Sequence, residues 1–505
     1  MPEVSPALAA FTQVHDEGKP QVVWTTIVAY LETPVSAFLK LAEDRENSFL
    51  LESVEGGAIR GRYSIIGLMP DLIWKCYGDA PEINRNALNG STFTPAEGGT
   101  LASMRALIEE SLIDLPDSLP PMAAGLVGYL GYDTVRLMER IEGDKPDPVQ
   151  TPDGYFVRPT LMAIFDSIKD VIHLVTPVRP KDGISAKAAY TQAQDRLSLA
   201  IEHLDAPLPM GHGTGIDTEA LEEPVSNTST EEFFGMVDRA KEYITAGDIF
   251  QVVLSQRYSV PFTLPHVSLY RALRRTNPSP FMFYMNFDGF SVVGSSPEIL
   301  VRLRDDEVTL RPIAGTRPRG ETPADDARLM EDLLADPKEL AEHLMLLDLG
   351  RNDVGRVAKT GTVEVTDRNI IEMYSHVMHI VSNVRGEIDP QYDCIDALYG
   401  GFPAGTVSGA PKVRAMEIIN ELEKDKRGIY AGGVGYFSAN GSMDTCIVLR
   451  TAVVKDDVLH IQAGAGIVAD SVPENENAEC QAKARAMIRA AQEAVAFAST
   501  PSRGQ

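Results

Sequence analysis

The stretch Arg311-Pro312-Ile313-Ala314-Gly315-Thr316-Arg317 combines the ingredients of an anion site. A glycine followed by a threonine leaves backbone N–H groups open to a close-lying anion, and arginines flank the pair. Ala314 is informative for what it lacks. If the segment faces a reactive ring, alanine supplies no nucleophile there, so another group or a small diffusing molecule must attack. Taken alone, seven such residues are more often a strand ending in a basic turn.

Carboxylates at helical spacing supply a second chemistry. Asp336-Pro337-Lys338-Glu339 is a helix start, with Asp as N-cap, Pro at the first helical position and Glu three residues on. Beyond it Leu340, Leu344 and Leu347 form one stripe, and Glu339, Glu342, His343 and Leu346 another. A second start, Ser471-Val472-Pro473-Glu474, has the form of a capping box and puts Glu476, Glu479 and Lys483 on one face. A solvated first turn explains Glu474. It explains Glu342 less well, because a carboxylate buried among Leu340, Leu344 and Met345 needs a partner. A cation shared by the two helices would be one. One or two carboxylates, with positions left for water and substrate oxygens, suit Mg²⁺ better than Zn²⁺.

Small residues mark two further places. Ile461-Gln462-Ala463-Gly464-Ala465-Gly466-Ile467 reads as a strand-to-helix turn where a ligand can approach the backbone, an arrangement that forms anion-binding nests. The run from Gly400 to Lys412, with Gly405-Thr406 inside it, lacks the spacing of a phosphate loop and is better read as a carboxylate-binding loop.

The elements that must hold these residues apart and together are of mixed type. At 505 residues the chain is too long for one ordinary domain. Residues 206–229 are poor in apolar periodicity and rich in Pro, Gly, Thr and Glu, which makes them a linker between 1–205 and 230–500. Thr230 is the expected N-cap of the helix that follows. Two β-meanders are expected: Phe290–Ser295, Ile299–Arg304 and Val308–Ile313, then Tyr430–Phe437, Cys446–Val454 and Val458–Ala463. Short turns between consecutive strands imply antiparallel sheet, so the class is α+β and a doubly wound parallel fold is disfavoured. Gly125–Leu130 echoes Gly432–Phe437, and Lys169–Leu174 echoes Lys455–Ile461. Chance likeness of hairpins and a repeated sheet are both open at this point.

Bulk properties narrow the partners. The net charge of −26, from 46 basic and 72 acidic side chains, argues against nucleic acid and anionic membrane. An anionic substrate must therefore meet a local positive site. Cys76, Cys394, Cys446 and Cys480 are scattered and read as reduced thiols of a cytoplasmic protein. The first residues, Met1 to Lys19, do not form a secretory signal.

Together these segments resemble the chorismate-utilising enzymes, most closely their anthranilate synthase large subunits. The resemblance rests on Ser295-Ser296-Pro297-Glu298, Pro312 to Arg317, Lys338 to His343, Asp348 to Asp353, Phe402 to Lys412 and Gly464 to Gly466, in the family's order over most of 230–490. It is weaker before that, through Ser48 to Ser53 and Arg62-Tyr63-Ser64. It implies large, mostly antiparallel sheets packed as a sandwich with helices outside. Residues 1–205 would be a regulatory, tryptophan-binding domain and 230–500 the catalytic domain, with interleaving allowed.

The implied substrate is chorismate. By this resemblance Glu342 and Glu479 hold Mg²⁺ against the ring carboxylate, with Glu339 and Glu476 beside them through water. Arg450, Tyr430 and the amides of Gly464, Ala465 and Gly466 bind the enolpyruvyl carboxylate, while Gly315, Thr316, Thr406 and Lys483 line the same pocket. Glu298 is the implied general acid for the departing C4 hydroxyl as ammonia adds at C2, which requires a raised pKa. His379, in Ser375-His376-Val377-Met378-His379, is linked to the later loss of pyruvate. Ser53, Pro278, Ser279 and Pro280 match the family's tryptophan pocket, which implies feedback inhibition.

Two departures within the family select the product. Relatives that make aminodeoxychorismate carry lysine where this chain has Ala314, and relatives that activate water carry lysine where it has Gln251. Ammonia is then the attacking group, supplied by a glutamine amidotransferase subunit, since none of the four cysteines sits in a nucleophile elbow. The alternatives are an aminodeoxychorismate synthase component and, from another class, a catalytically inactive tryptophan sensor.

Overall fold

The computed structural model describes residues 3–29, 31–42, 45–55, 59–209, 221–374 and 377–498. The glycines at 211, 213 and 215 of the expected linker, and His376, lie outside these.

The chain is α+β. Among the described residues every strand pairing is antiparallel. Tight turns make this possible. Asp305-Asp306 and Asp456-Asp457 each place two successive residues in the left-handed region, the geometry of two-residue hairpin turns. A core of strand residues from both halves includes Phe49, Tyr129, Tyr155, Phe283, Phe287 and Val434, with the Tyr155 and Phe287 rings 4.5 Å apart. Helix-on-sheet cores flank it; in one, Ala484, Met487 and Ala490 of helix Pro473–Ala498 pack over Leu459 and Ile461. No described helix is long and apolar enough to cross a membrane, and all four cysteines are free.

The two halves are joined by hydrogen-bonded strands. Ser48–Glu55 pairs with Phe281–Phe287, and Gly125–Leu130 pairs with Gly433–Ser438, with Gly128 opposite Gly435. The echoed segments thus meet each other. Their continuations correspond too: Gln21–Val28 flanks the hairpin strand Val171–Val178 as Gln251–Pro261 flanks Val458–Ile467.

Several local expectations need correction. The helix Thr230–Ala246 is capped by Ser229, whose side chain and Glu232 form a reciprocal capping box; Thr230 is its first turn. Ser471 does not cap as drawn, because its hydroxyl accepts the Val468 N–H. Asp336 does cap, accepting from Lys338 and Glu339 N–H, and Pro337 opens the helix Pro337–Gly355. Gly464 to Gly466 lie inside the strand Val458–Ile467 and not in a turn. Neither meander is continuous, for the reason that builds the site.

Candidate functional site

Phe290–Ser296 pairs with Thr451–Lys455, whereas Ile299–Arg304 pairs with Met443–Ile447. Both chains therefore break at one level, at Pro297-Glu298 and at Val448-Leu449-Arg450. Pro297 has no N–H to continue a ladder. Arg450 turns with φ +47°, uncommon for a side-chain-bearing residue and a mark of local constraint. Ile447 N–H donates to Glu298 O at 3.0 Å, and Ser295 N–H to Arg450 O at 3.2 Å. Two regular strands thus cross a seam together, and each delivers one ionisable side chain into it.

At the seam the Glu298 carboxyl is buried, and Thr406 Oγ1 donates to its Oε1 at 3.2 Å. Burial pushes its pKa up to about 8, opposed by the Thr406 hydrogen bond and the Arg450 and Lys483 charges. Glu298 is thus mostly a neutral acid at pH 7. Burial also pulls Arg450 below its usual range, though it remains a cation. Among the described residues its guanidinium has no ion-pair partner, the condition that suits it to receive a carboxylate.

Opposite lies the edge of strand Val458–Ile467. Its pairing with Thr451–Lys455 ends at Ile461, while its pairing with Gln251–Pro261 continues to Ile467. Among the described residues no second strand pairs from Gln462 onward, which leaves one edge of the strand open to a ligand. A Cβ at Gly464 would stand 2.9 Å from the Tyr430 hydroxyl, so only glycine lets that phenol sit against the strand. Lys483 Nζ donates to Gly464 O at 2.9 Å and pairs with Glu479 at 2.8 Å.

The motif from Arg311 to Arg317 forms the next wall. Its strand Ile313–Pro318 pairs with Val377–Glu387 through a bulge between Ala314 and Thr316, with Gly315 at φ +75°. The bulge turns the Gly315 carbonyl and Thr316 hydroxyl onto His379 Nδ1, at 3.2 and 3.0 Å. A carbonyl only accepts, so Nδ1 carries the hydrogen and Nε2 is left with the lone pair. Burial lowers the His379 pKa to about 4, so this imidazole is neutral at physiological pH. The flanking arginines are committed elsewhere: Arg311 to Glu372, and Arg317 to Asp332, Asp336 and Glu339. They brace the wall and do not supply its free positive charge.

The carboxylates of the two helices approach across the remaining side. Glu342 is raised by burial and by its neighbours Glu339 and Glu479, against a hydrogen bond from the Gln251 amide. Glu476 is raised by burial and by Glu479. Lys338 is spent on Asp470 at 2.8 Å. Glu342 therefore sits among like charges with the Gln251 amide as a hydrogen-bond partner. Among the described residues no three acidic, His or Cys side chains form a closed metal cage. The all-oxygen set fits a hard cation held by one or two carboxylates, with other positions left to water and substrate.

Ser53 and Pro280 line a separate cavity of about 830 Å³, with Leu51, Phe281 and Met282. Pro278 and Ser279 lie just before it, in the connection leading into strand Phe281–Phe287. Sequence reasoning missed Glu372 and Tyr374, which stand between this cavity and His379. The hairpin register was the available signal, since Glu372 is directly opposite His379. It also treated Gln251 only as a marker, whereas its side chain touches Glu342.

With this geometry in place, comparison with known proteins is direct. Residues 70–489 match the family model of the chorismate binding enzyme. The chain is 58% identical over 488 residues to anthranilate synthase component 1 of Cereibacter sphaeroides, covering 96% of this chain and 97% of that protein. It is 48% identical over 472 residues to the Pseudomonas putida protein of the same name, covering 92% and 93%. The crystal structure of anthranilate synthase component I from Streptococcus pneumoniae TIGR4 superposes with a TM-score of 0.75 at 35% identity, over 91% of this chain and 98% of that one. The chain belongs to the chorismate binding enzyme family, with anthranilate synthase component 1 proteins among its relatives.

Proposed function

We propose that the chain converts chorismate and ammonia to anthranilate and pyruvate, as the large subunit of an anthranilate synthase in tryptophan biosynthesis. The observation that carries this reading is the neutral, buried Glu298 acid set in one seam beside Arg450, which has no ion-pair partner among the described residues. A site for this dicarboxylate needs a cation for one carboxylate, a second cationic position for the other, and an acid that stays protonated near pH 7.

Arg450, the Tyr430 hydroxyl and the free edge at Gly464, Ala465 and Gly466 bind the enolpyruvyl carboxylate. Glu342 and Glu479, with Glu339 and Glu476 beside them, would hold Mg²⁺, which supplies charge neutralisation at the ring carboxylate. Gly315, Thr316 and Lys483 complete the pocket. Glu298, oriented by Thr406, protonates the C4 hydroxyl so that it leaves as water while ammonia bonds to C2. His379, fixed in the Nδ1–H tautomer, offers Nε2 to the C2 proton as pyruvate departs and the ring aromatises. Ala314 is buried and places only a methyl group where a lysine would carry an amine.

Ammonia comes from a glutamine amidotransferase subunit in a cytoplasmic complex. Residues 230–500 supply the catalytic side chains, and 1–205 contribute Ser53 to a regulatory pocket for L-tryptophan closed by Pro278, Ser279 and Pro280. Chorismate, Mg²⁺ and ammonium given to the chain alone should yield blue-fluorescent anthranilate, with glutamine unable to replace ammonium. Absence of anthranilate under these conditions would remove the reading.

A further inference from the structure

One wall separates the 830 Å³ cavity from the seam, and it is made of few residues. Arg311 lines both the cavity and the pocket that contains Glu298 and Thr406. Its guanidinium pairs with Glu372 Oε1, and the Tyr374 hydroxyl donates to Glu372 Oε2 at 3.2 Å. Glu372 and Tyr374 face the cavity too. On the other side the Tyr374 ring meets the His379 ring edge-on at 5.3 Å, and Tyr374 lies within electrostatic reach of Glu298 and Arg450.

The strand that carries this wall is suited to move. Among the described residues Glu364–Met373 pairs on one edge only, with Val377–Glu387, and its register shifts twice along its length. Most of its residues are exposed or half-buried. The Arg311–Glu372 pair is itself 37% and 27% exposed, so solvent weakens it and a rearrangement costs little. Tyr374, by contrast, is buried against the site. Arg311 and Glu372 are part of the cavity wall, and displacing Glu372 removes the only carboxylate that holds the Tyr374 hydroxyl among the described residues.

We propose that Tyr374 is a positioning residue for His379, and that the Arg311–Glu372 pair carries occupancy of the cavity to it. The inference rests on the reading of the cavity as a tryptophan pocket. In the unliganded arrangement the pair is closed and Tyr374 supports the His379 ring. In the liganded one the pair opens, and that support is lost. Because coupling between two sites is reciprocal, chorismate must weaken tryptophan binding by the factor with which tryptophan weakens chorismate binding.

The test measures tryptophan affinity by calorimetry with and without chorismate and Mg²⁺, omitting ammonium so that no turnover occurs. In the wild-type chain chorismate should raise the tryptophan Kd by a factor on the order of 5–150. In Glu372→Gln and Tyr374→Phe, tryptophan should still bind within about threefold of wild type, while the chorismate-induced factor falls to about 1–3. A purely structural role would lower binding or stability without erasing that factor. An unchanged factor in both variants would overturn the proposal. Loss of tryptophan binding in both would overturn it as well, because the pair would then be a ligand contact and not a partition. A wild-type chain that takes up no tryptophan would instead refute the regulatory reading beneath it.

Discussion

Glu298 and Arg450 occupy facing interruptions of two neighbouring strands, and reciprocal backbone hydrogen bonds of 3.0 and 3.2 Å lock the interruptions together. The pairing explains why an acid and a guanidinium can share a buried space without neutralising each other. Each is aimed by its own backbone break, and burial of the carboxyl outweighs the pull of the nearby cation. The site is thus poised to give a proton to one part of a dianion while it holds another part.

Glu298→Gln should lower kcat by about 10²–10⁴-fold, the usual weight of a positioned general acid. In the wild type kcat should decline as pH rises through about 8, where the acid is lost. Linkage gives an independent check. The folded pKa lies above the ordinary 4.5, so the neutral acid's contribution to stability is complete below about 4.5 and is lost as pH rises through about 8. The Glu298→Gln chain should therefore melt at the wild-type temperature at pH 4.5 and above it at pH 8.5. Matching melting curves at both values would contradict the assignment.

His379→Ala should uncouple the two halves of the reaction. Chorismate is still consumed with ammonium, but the amino intermediate accumulates and pyruvate lags. Chromatography of quenched single-turnover mixtures measures this directly. Anthranilate formed at the wild-type rate would exclude His379 from pyruvate loss.

Much of this site was legible in the chain, and what was not has a physical cause. Asp336 and Pro337 marked the start of the first carboxylate helix. Glu342, however, is not buried among leucines as expected: Leu344 is exposed, and Leu340 and Met345 are half-buried. What raises the Glu342 pKa is its own burial, with Glu339 and Glu479 nearby. The interruption at Pro297-Glu298 was legible, since the strands read as Phe290–Ser295 and Ile299–Arg304 leave it between them, but the one at Arg450 was invisible. Apolar alternation runs on through the expected strand Cys446–Val454, and which neighbour a strand pairs with depends on residues far away in sequence. Gly464 to Gly466 misled for a related reason: small residues signal close approach equally well in a turn and in a strand. The echo of Gly125–Leu130 in Gly432–Phe437 gained meaning only from the pairing of those strands with each other.

Glu342→Gln should abolish Mg²⁺-dependent turnover, while calorimetry finds tryptophan binding unchanged within about twofold, because the two sites are separate and distant changes are close to independent. Chelation of Mg²⁺ from the wild type should have the same effect and be reversed by adding the ion back. Full activity after exhaustive chelation would count against a cation between the two helices.

Gly315→Ala should cost about 1–2 kcal/mol of stability, since the residue sits at φ +75°. Its new methyl would also press on Ile380 Cδ1 at 3.0 Å and Glu339 Oε2 at 3.2 Å. Denaturant titration reads the stability loss. The kcat should fall further than stability alone explains, because the Gly315 carbonyl fixes the His379 tautomer.

The most direct measurement follows isotopically labelled ammonium into product with purified chain, chorismate and Mg²⁺. The account predicts labelled anthranilate and an equimolar amount of pyruvate. A stable labelled amino-chorismate that keeps its enolpyruvyl group, with no pyruvate released, would contradict it.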